Sequence, residues 1–357
     1  MNESVDAVVL VGGQGTRLRP LTLSAPKPML PTAGVPFLEH LLSRIRQAGI
    51  RHVVLSTSYR AETFSAHFGN GAAFGLEIEY VVEDAPLGTG GAIRNVYDKL
   101  RAKDVMVFNG DILSGVDLSA LLATHRDAEA DVTLHLVRVP DPRAFGCVPT
   151  DTDGRVLAFL EKTENPPTDQ INAGCYVFKR EVIENIATNS VISVERETFP
   201  GLLAAGATVV GHVEDSYWLD LGTPAAFVRG SADLVRGIAP TGALRQPAAD
   251  FLALDGVVLG AGAQVDAGSA LGRSVQVGPA AVVRGSIVFD GAVIGPLAVV
   301  IDSVIGKNAV IGAGAVVTQA VIGDDVTVGA NCELLAGVRV WPGVQLPDGA
   351  IRFSAPA

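Results

Sequence analysis

The chemically richest stretch of the chain pairs glycine with positive charge. In LVGGQGTRLRPLTLSAPKPMLP, residues 10 to 31, Gly12, Gly13 and Gly15 free the backbone to wrap closely around phosphate oxygens, while Arg17 and Lys27 supply charge. Between Asp6 and Glu39 there is no acidic residue, and Arg17, Arg19 and Lys27 all fall in that interval. The 357-residue chain carries a formal charge of -11, so its overall field repels nucleic acid and anionic membranes. A polyanionic ligand must therefore be met at a local exception, and this segment is one. The spacing excludes a Walker P-loop, because no Gly-Lys-Ser/Thr follows at the required distance, and the dinucleotide fingerprint is absent as well. Taken alone, the three glycines fit a plain turn with solvated cations equally well.

Carboxylates come next. Asp111, in FNGDIL at residues 108 to 113, ends an apolar run, where a sheet meets its ligand crevice, although an Asp there also serves as a turn former. Asp220, in YWLDLGTPAAF at 217 to 227, stands just before a Gly-Thr-Pro helix start. Two carboxylates plus substrate phosphates form a donor set that magnesium takes, water filling the remaining positions. In AFLEKTENPPTDQINAGCYVF, Glu161 and Lys162 end one expected strand and Asn172 begins the next, which by itself is also an ordinary hairpin with a surface ion pair.

These residues need a scaffold. With 48% hydrophobic and 18% charged residues the composition is that of a globular protein, and the length favours two domains. Ala7 to Val11 and His52 to Thr57 are short apolar runs separated by Phe37 to Gln47, where Phe37, Leu38, Leu41, Leu42 and Ile45 form a helical stripe ended by Gly49. Leu76 to Val82 and Val105 to Phe108 continue the strands, and Thr89 to Leu100 and Asp117 to Glu129 read as helices. The expectation is a Rossmann-like, doubly wound, mainly parallel α/β sheet, with ligands beyond the carboxyl ends of its strands.

The last third is different. Ser269, Ser286, Ser303 and Ala320 are successively 17 residues apart, and each begins a similar decade closed by an aliphatic residue and Gly. Aliphatic positions also recur about every six residues, as in Val328, Leu334, Val340 and Leu346. This rhythm predicts a parallel β-helix of hexapeptide repeats, each coil burying its neighbour's inward Val, Ile and Leu. The domains expected are residues 1–240, then 250–352, with Gly237 to Pro247 as linker. Cys147, Cys175 and Cys332 are too few and too scattered for a disulfide framework or zinc site and read as packing residues. No apolar run reaches membrane-spanning length and no secretory signal precedes the first strand, so the cytoplasm is the expected location.

Taken together, GGQGTRLRPLT, PKPM, the strand-terminal Asp111, the Glu161-Lys162 and Asn172-Ala-Gly elements and Asp220 resemble the sugar-nucleotide pyrophosphorylases, a nucleotidyltransferase family. The matches run from residue 10 to 227. The resemblance implies a nucleotide site at Leu10, Gly12, Gly13, Gly15, Thr16, Arg17, Glu83, Pro86, Gly88 and Asp111. It implies a sugar-phosphate site at Gly146, Glu161, Lys162 and Asn172, catalytic roles for Arg17, Lys27, Asp111 and Asp220, and Mg2+ held by the last two. Relatives often have Pro after the Lys, where this chain has Thr163, which leaves the shape of that loop open. PLGTGG at 86 to 91, INAGCYVF and SVERETFP at 193 to 200 resemble the mannose-1-phosphate guanylyltransferases with a left-handed hexapeptide β-helix. GTP and mannose 1-phosphate are then the expected substrates, and a homo-oligomer through the β-helix the expected assembly.

By that resemblance Glu83 lies near the base. Guanine presents adjacent N1–H and N2–H donors to a carboxylate, whereas adenine turns an acceptor toward it, so Glu83, or Asp84 in its place, would favour GTP. A solvated Glu at a strand end is the competing reading. Other readings are glucose-1-phosphate adenylyl-, uridylyl- or thymidylyltransferase, a regulatory paralogue, which would be expected to lose Lys27 or Asp111, and a hexapeptide acyltransferase. All six histidines precede the β-helix, which disfavours the acyltransferase.

Overall fold

The structure is a computed structural model that describes residues 4–58, 60–160, 162, 164–244 and 248–352. The chain divides into two compact units, Met1–Gly13 with Leu41–Trp218, and Gln14–His40 with Leu219–Ala357.

The first unit is built on a seven-stranded sheet: β1 Val5–Leu10, β2 His52–Thr57, β3 Glu77–Val82, β4 Asp104–Asn109, β5 Val132–Arg138, β6 Gln170–Lys179 and β7 Val209–Glu214, in the spatial order β7-β5-β6-β4-β1-β2-β3. All neighbours are parallel except around β6, which runs antiparallel to both β4 and β5. β2 is buried at every position, its polar His52, Ser56 and Thr57 along with Val53, Val54 and Leu55. Val8, Val54, Val107, Leu134, Tyr176 and Phe178 meet in one core. The reversed direction of β6 was not foreseen, because a strand buried on both faces carries no directional mark in its residues.

Helices differ from expectation mainly at their ends. Asp117 caps Leu118–Asp127, its carboxylate accepting from Ser119 N at 2.9 Å and Ala120 N at 3.1 Å. The helix expected over 89–100 spans Gly88–Asn95 and gives way to a tight turn at Tyr97–Lys99. Strand register then fixes the functional edge. Leu10 lies opposite Ser56 and Asn109, Thr57 opposite Val82, Phe108 opposite Cys175, and Leu136 opposite Asn172. The residues just after β1, β2, β3 and β4 and the start of β6 therefore share one edge of the sheet.

In the second unit, Phe251 onward forms three parallel sheets of six, six and five short strands, consistent with a left-handed β-helix. Val283, Val300, Val317 and Leu334 form one inward column, and Val277, Ile294, Ile311 and Val328 another, none more than 2% exposed. Cys332 continues the column of Ala281, Ala298 and Ala315. All three cysteines are buried, and burial pushes the Cys175 thiol up, which fits packing roles. Thr241, in the expected linker, is tied to His40. Thr32 O can only accept, so His40 Nε2–H donates to it at 2.9 Å, and Nδ1 accepts the Thr241 hydroxyl at 2.8 Å. Burial holds the His40 imidazole down to about 4, hence neutral. Arg245, Gln246 and Pro247 lie outside the described residues.

The 17-residue spacing has a physical cause. Ala270, Ile287, Val304 and Val321 pair in successive coils, whereas the last step, Val321 to Arg339, is one residue longer. At the shortened corner Ser269, Ser286 and Ser303 are buried, and each Oγ accepts the backbone N–H of the equivalent residue in the next coil, from Ser286, Ser303 and Ala320, at 3.1 Å. Each hydroxyl also donates to a carbonyl, as Ser303 does to Ile301 O at 2.7 Å. Ser303→Ala should strand the Ala320 N–H and cost about 1 to 3 kcal/mol in denaturant unfolding, more than the same change at an exposed coil position. An unaltered midpoint would refute this role for the serine ladder.

Candidate functional site

Glycine-rich backbone in the first unit sits on the carboxyl edge of the sheet. After Leu10, the Gly12 carbonyl accepts the Ser58 hydroxyl at 2.5 Å, and a Cβ on Gly12 would lie 3.0 Å from Ser58 Oγ and 3.8 Å from Glu83 Oε1. A Cβ on Gly13 would meet open space. Glu83 is held rather than free: Ser56 Oγ donates to Oε1 at 3.2 Å and Leu87 N to Oε2 at 3.3 Å. The carboxylate thus ties the strand ends to the 84–87 turn. Pro86 and Asp84 are exposed. Gly88 has φ 69°, and a Cβ there would stand 2.5 Å from Ile192 O. Gly90 N donates to the same carbonyl at 2.7 Å, and Val194 N donates to Thr89 Oγ1 at 2.9 Å. The glycines of PLGTGG therefore let this loop press on residues 192–194.

Gly110 places Asp111. Its N–H donates to Leu10 O at 2.9 Å, and a Cβ on it would come within 2.6 Å of that oxygen, so the turn after β4 closes against the end of β1 and leaves Asp111 partly exposed at the edge. At the start of β6, Asn172 Nδ2 donates to Tyr176 Oη and to Glu195 Oε1, both at 2.8 Å, and its Oδ1 accepts Gly174 N at 3.0 Å. Trp218 Nε1–H donates to Ala173 O at 3.0 Å, and the Phe145 ring, 47% exposed, meets Trp218 edge-on at 5.4 Å. Gly146, φ 79°, follows that ring directly. Lys162 is exposed, and Glu161 lies outside the described residues, as does Thr163. The expected strand end at 161–162 is instead a single antiparallel bridge, Cys147 to Leu160.

Glu195, Trp218 and Phe145 were not singled out from sequence as site residues. The SVERETFP motif singles out no one member, and only the fold brings its Glu195 beside Asn172.

The second unit gathers another set. Thr16–Leu18 and Lys27–Met29 are short 3-10 turns, and Gly15, φ 59°, lets the segment fold back, since a Cβ there would lie 2.9 Å from Thr22 Cγ2 and 3.0 Å from Lys27 Cβ. Thr16 and Arg17 are exposed, whereas Lys27 is only 7% exposed, its Nζ 3.9 Å from Asp220 Oδ1. A Cβ on Gly222 would overlap the Arg17 guanidinium. Arg17, Lys27 and the Asp220–Gly222 turn are thus one constellation of two cations and a carboxylate, suited to binding phosphate oxygens.

A metal-type cluster among the described residues, His52, Glu77 and Glu79, lies near the amino-terminal ends of β2 and β3. Cations already fill it: Lys99 Nζ is 2.9 Å from Glu79, and Arg101 is 2.7 Å from both glutamates. The Lys99 hydrogen bond, with those of His52 and Arg101, holds the Glu79 carboxyl down to about 2. This cluster is an ion-pair network.

The nucleotidyl transferase family model matches residues 6–237, and the model for the GMPPB C-terminal domain matches 250–348. The chain belongs to the nucleotidyl transferase family. It is 65% identical over 352 residues, 98% of each chain, to the mannose-1-phosphate guanylyltransferase of Mycobacterium tuberculosis. It is 36% identical over 227 residues to the mannose-1-phosphate guanylyltransferase catalytic subunit beta of Drosophila pseudoobscura, covering 63% of this chain and 61% of the fly protein. Among solved structures, HddC from Yersinia pseudotuberculosis complexed with GMP-PN aligns with a TM-score of 0.57 and 29% identity, over 64% of this chain and 99% of that one. The resemblance read from the family's motifs is borne out by these matches.

Asn172→Ala removes an amide held by Tyr176 and Glu195. The KM for the sugar phosphate should rise tenfold or more, with the nucleotide KM little changed, as expected when a hydrogen bond of about 1 to 3 kcal/mol is lost. Unchanged KM values for both substrates would reduce Asn172 to a purely structural residue.

Proposed function

We propose that this chain is a mannose-1-phosphate guanylyltransferase, making GDP-mannose and pyrophosphate from mannose 1-phosphate and GTP. The carrying observation is the 65% identity, over 98% of both chains, to a relative of that name. The nucleophile is a phosphate oxygen of the sugar phosphate, already ionised near neutral pH, so no general base is required. That oxygen forms a bond to the α-phosphorus of GTP as the bond from the α-phosphorus to the bridging oxygen breaks, and pyrophosphate leaves with the electron pair. The chain's task is to align two polyanions and offset charge at the reacting phosphorus.

In this reading Leu10, Gly12, Gly13, Gly15 and Thr16 supply backbone around the nucleotide, and Arg17 and Lys27 draw the triphosphate in. Glu83 reads guanine through the lone pairs that Ser56 and Leu87 leave open, with Pro86 and Gly88 shaping the loop beside it. Lys162 meets the sugar phosphate, while Gly146, Glu161 and Asn172 meet the sugar, with Glu195 orienting Asn172. Asp111 and Asp220 present anionic oxygen donors, the chemistry Mg2+ takes, and are the residues that would hold it. Bound magnesium supplies positive charge to phosphate oxygens.

The catalytic domain is residues 1–240 and the hexapeptide domain 250–352. A homo-oligomer through the β-helix is supported by outward apolar side chains there, Val258 at 60% and Val310 at 37% exposure. No helix among the described residues is long and apolar enough to cross a membrane, and a cytoplasmic location is proposed.

A panel pairing GTP, ATP, UTP and dTTP with mannose, glucose and glucosamine 1-phosphates, read by pyrophosphate release, should give its highest kcat/KM for GTP with mannose 1-phosphate. A preference for another pair, or no turnover with any, overturns the reading. Asp111→Asn should lower kcat roughly 100-fold or more, the scale of several kcal/mol of charge stabilisation. Near-normal turnover would remove Asp111 from the metal site. Light scattering of the same protein should report more than one chain, and a monomer would contradict the oligomer.

A further inference from the structure

We propose that Asn172 meets the sugar only as a hydrogen-bond acceptor, and that the buried Tyr176, together with Glu195, is the positioning residue that imposes this polarity. The inference rests on the reading of Asn172 as a sugar-site residue and goes beyond it, fixing which atom of the amide is offered and what the ligand must present.

The valences of this amide are nearly all taken. A carboxamide carries two N–H donors and one oxygen with two lone pairs. Asn172 Nδ2 directs one hydrogen to Tyr176 Oη and the other to Glu195 Oε1, both at 2.8 Å, and Oδ1 accepts the Gly174 N–H at 3.0 Å. The amide cannot be reversed, because a carboxylate only accepts and a backbone N–H only donates. A flipped Asn172 would set its oxygen against Glu195 and its hydrogens against the Gly174 N–H. What remains for a ligand on this half-buried side chain is one lone pair of Oδ1. That lone pair takes a donor, which on a sugar is a hydroxyl hydrogen.

Packing fixes the Tyr176 oxygen in its place. The residue is fully buried, and its ring meets Phe199 at 5.2 Å and Phe178 at 6.2 Å, both edge-on. Asn109, which ends β4 just before Gly110 and Asp111, is a second hydrogen-bonding neighbour of the same phenol. A Cβ on Gly174, φ 77°, would stand 2.8 Å from Asn109 Nδ2, so glycine there lets β4 and β6 close around the phenol. SVERETFP supplies both holds on Asn172. Across its turn at Val194–Thr198, Glu195 accepts one amide hydrogen, and Phe199 packs on the ring whose oxygen accepts the other. The motif's task is then to set the polarity of the side chain beside it.

The test replaces each sugar hydroxyl of the 1-phosphate in turn by hydrogen or by fluorine, neither of which can donate, and measures kcat/KM for pyrophosphate release. The parent sugar is whichever 1-phosphate the wild type turns over best, so a preference other than mannose overturns the proposed substrates and leaves this experiment intact. At one position hydrogen and fluorine should each lower kcat/KM about tenfold or more, fluorine being no better than hydrogen. In Asn172→Ala both penalties should shrink to about threefold or less. Tyr176→Phe and Glu195→Leu should raise the sugar-phosphate KM at least about threefold with the nucleotide KM unchanged, and Glu195→Gln, which keeps an acceptor oxygen, should restore the wild-type value. Glu195 is exposed, so its two variants read the same hold if Tyr176→Phe weakens the core. Fluorine tolerated at the position where hydrogen is not would show the amide donating and overturn the proposal. Penalties that persist in Asn172→Ala at every position would remove Asn172 from the sugar and overturn it too, while pyrophosphate release by the wild type would still support the transferase. An unaltered sugar-phosphate KM in Tyr176→Phe and Glu195→Leu alike would overturn their positioning role.

Discussion

Lys27 is a nearly buried ammonium, and a charge taken out of water must keep an opposite charge within reach or lose more solvation than its contacts return. Asp220 is one such partner, at 3.9 Å. Much of the local structure follows from bringing these two together. Gly15 folds the segment back on Thr22 and Lys27, the successive short turns keep it compact, and Gly222 lets Arg17 lie across the turn that follows Asp220. No acidic residue between Asp6 and Glu39 dilutes the cations.

Glycine has two separable uses in this chain. At Gly13 nothing stands where a Cβ would be, so that position is open to a ligand. At Gly88 and Gly110 the missing Cβ is instead needed by neighbouring carbonyls, Ile192 O and Leu10 O. The motif PLGTGG is thus tied to residues 192–194, and through them the Glu195 beside Asn172 is linked to the loop beyond Glu83. The loop after β3 and the start of β6 in the first unit are linked along one edge of the sheet for this reason.

The parts of the fold governed by local periodicity were legible in the sequence. The alternation of strands and helices, the stripe on Phe37–Gln47 and the hexapeptide coils all follow from repeating burial. What depended on long-range register was not. The repeat of Ser269, Ser286 and Ser303 was visible, but its meaning required seeing one coil's N–H reach the previous coil's hydroxyl. The antiparallel course of β6 was hidden because both its faces are buried, and that course brings Asn172 to the carboxyl edge. Arg17, Lys27, Asp111 and Asp220 were legible as candidates because their types and motifs suit that chemistry. Trp218 and Glu195 could not, since an indole N–H bound to Ala173 O and a carboxylate bound to Asn172 are products of tertiary packing.

A double-mutant cycle on Lys27 and Asp220, measured as kcat for pyrophosphate release at saturating substrates and magnesium, tests most directly whether the pair acts as one unit. Lys27→Ala and Asp220→Ala should each lower kcat, and the double variant should lose little beyond the worse single one, because each change removes the opposite charge that the other group faces. If the two losses multiply in full, Lys27 and Asp220 act independently, and the pair is not what organises the site.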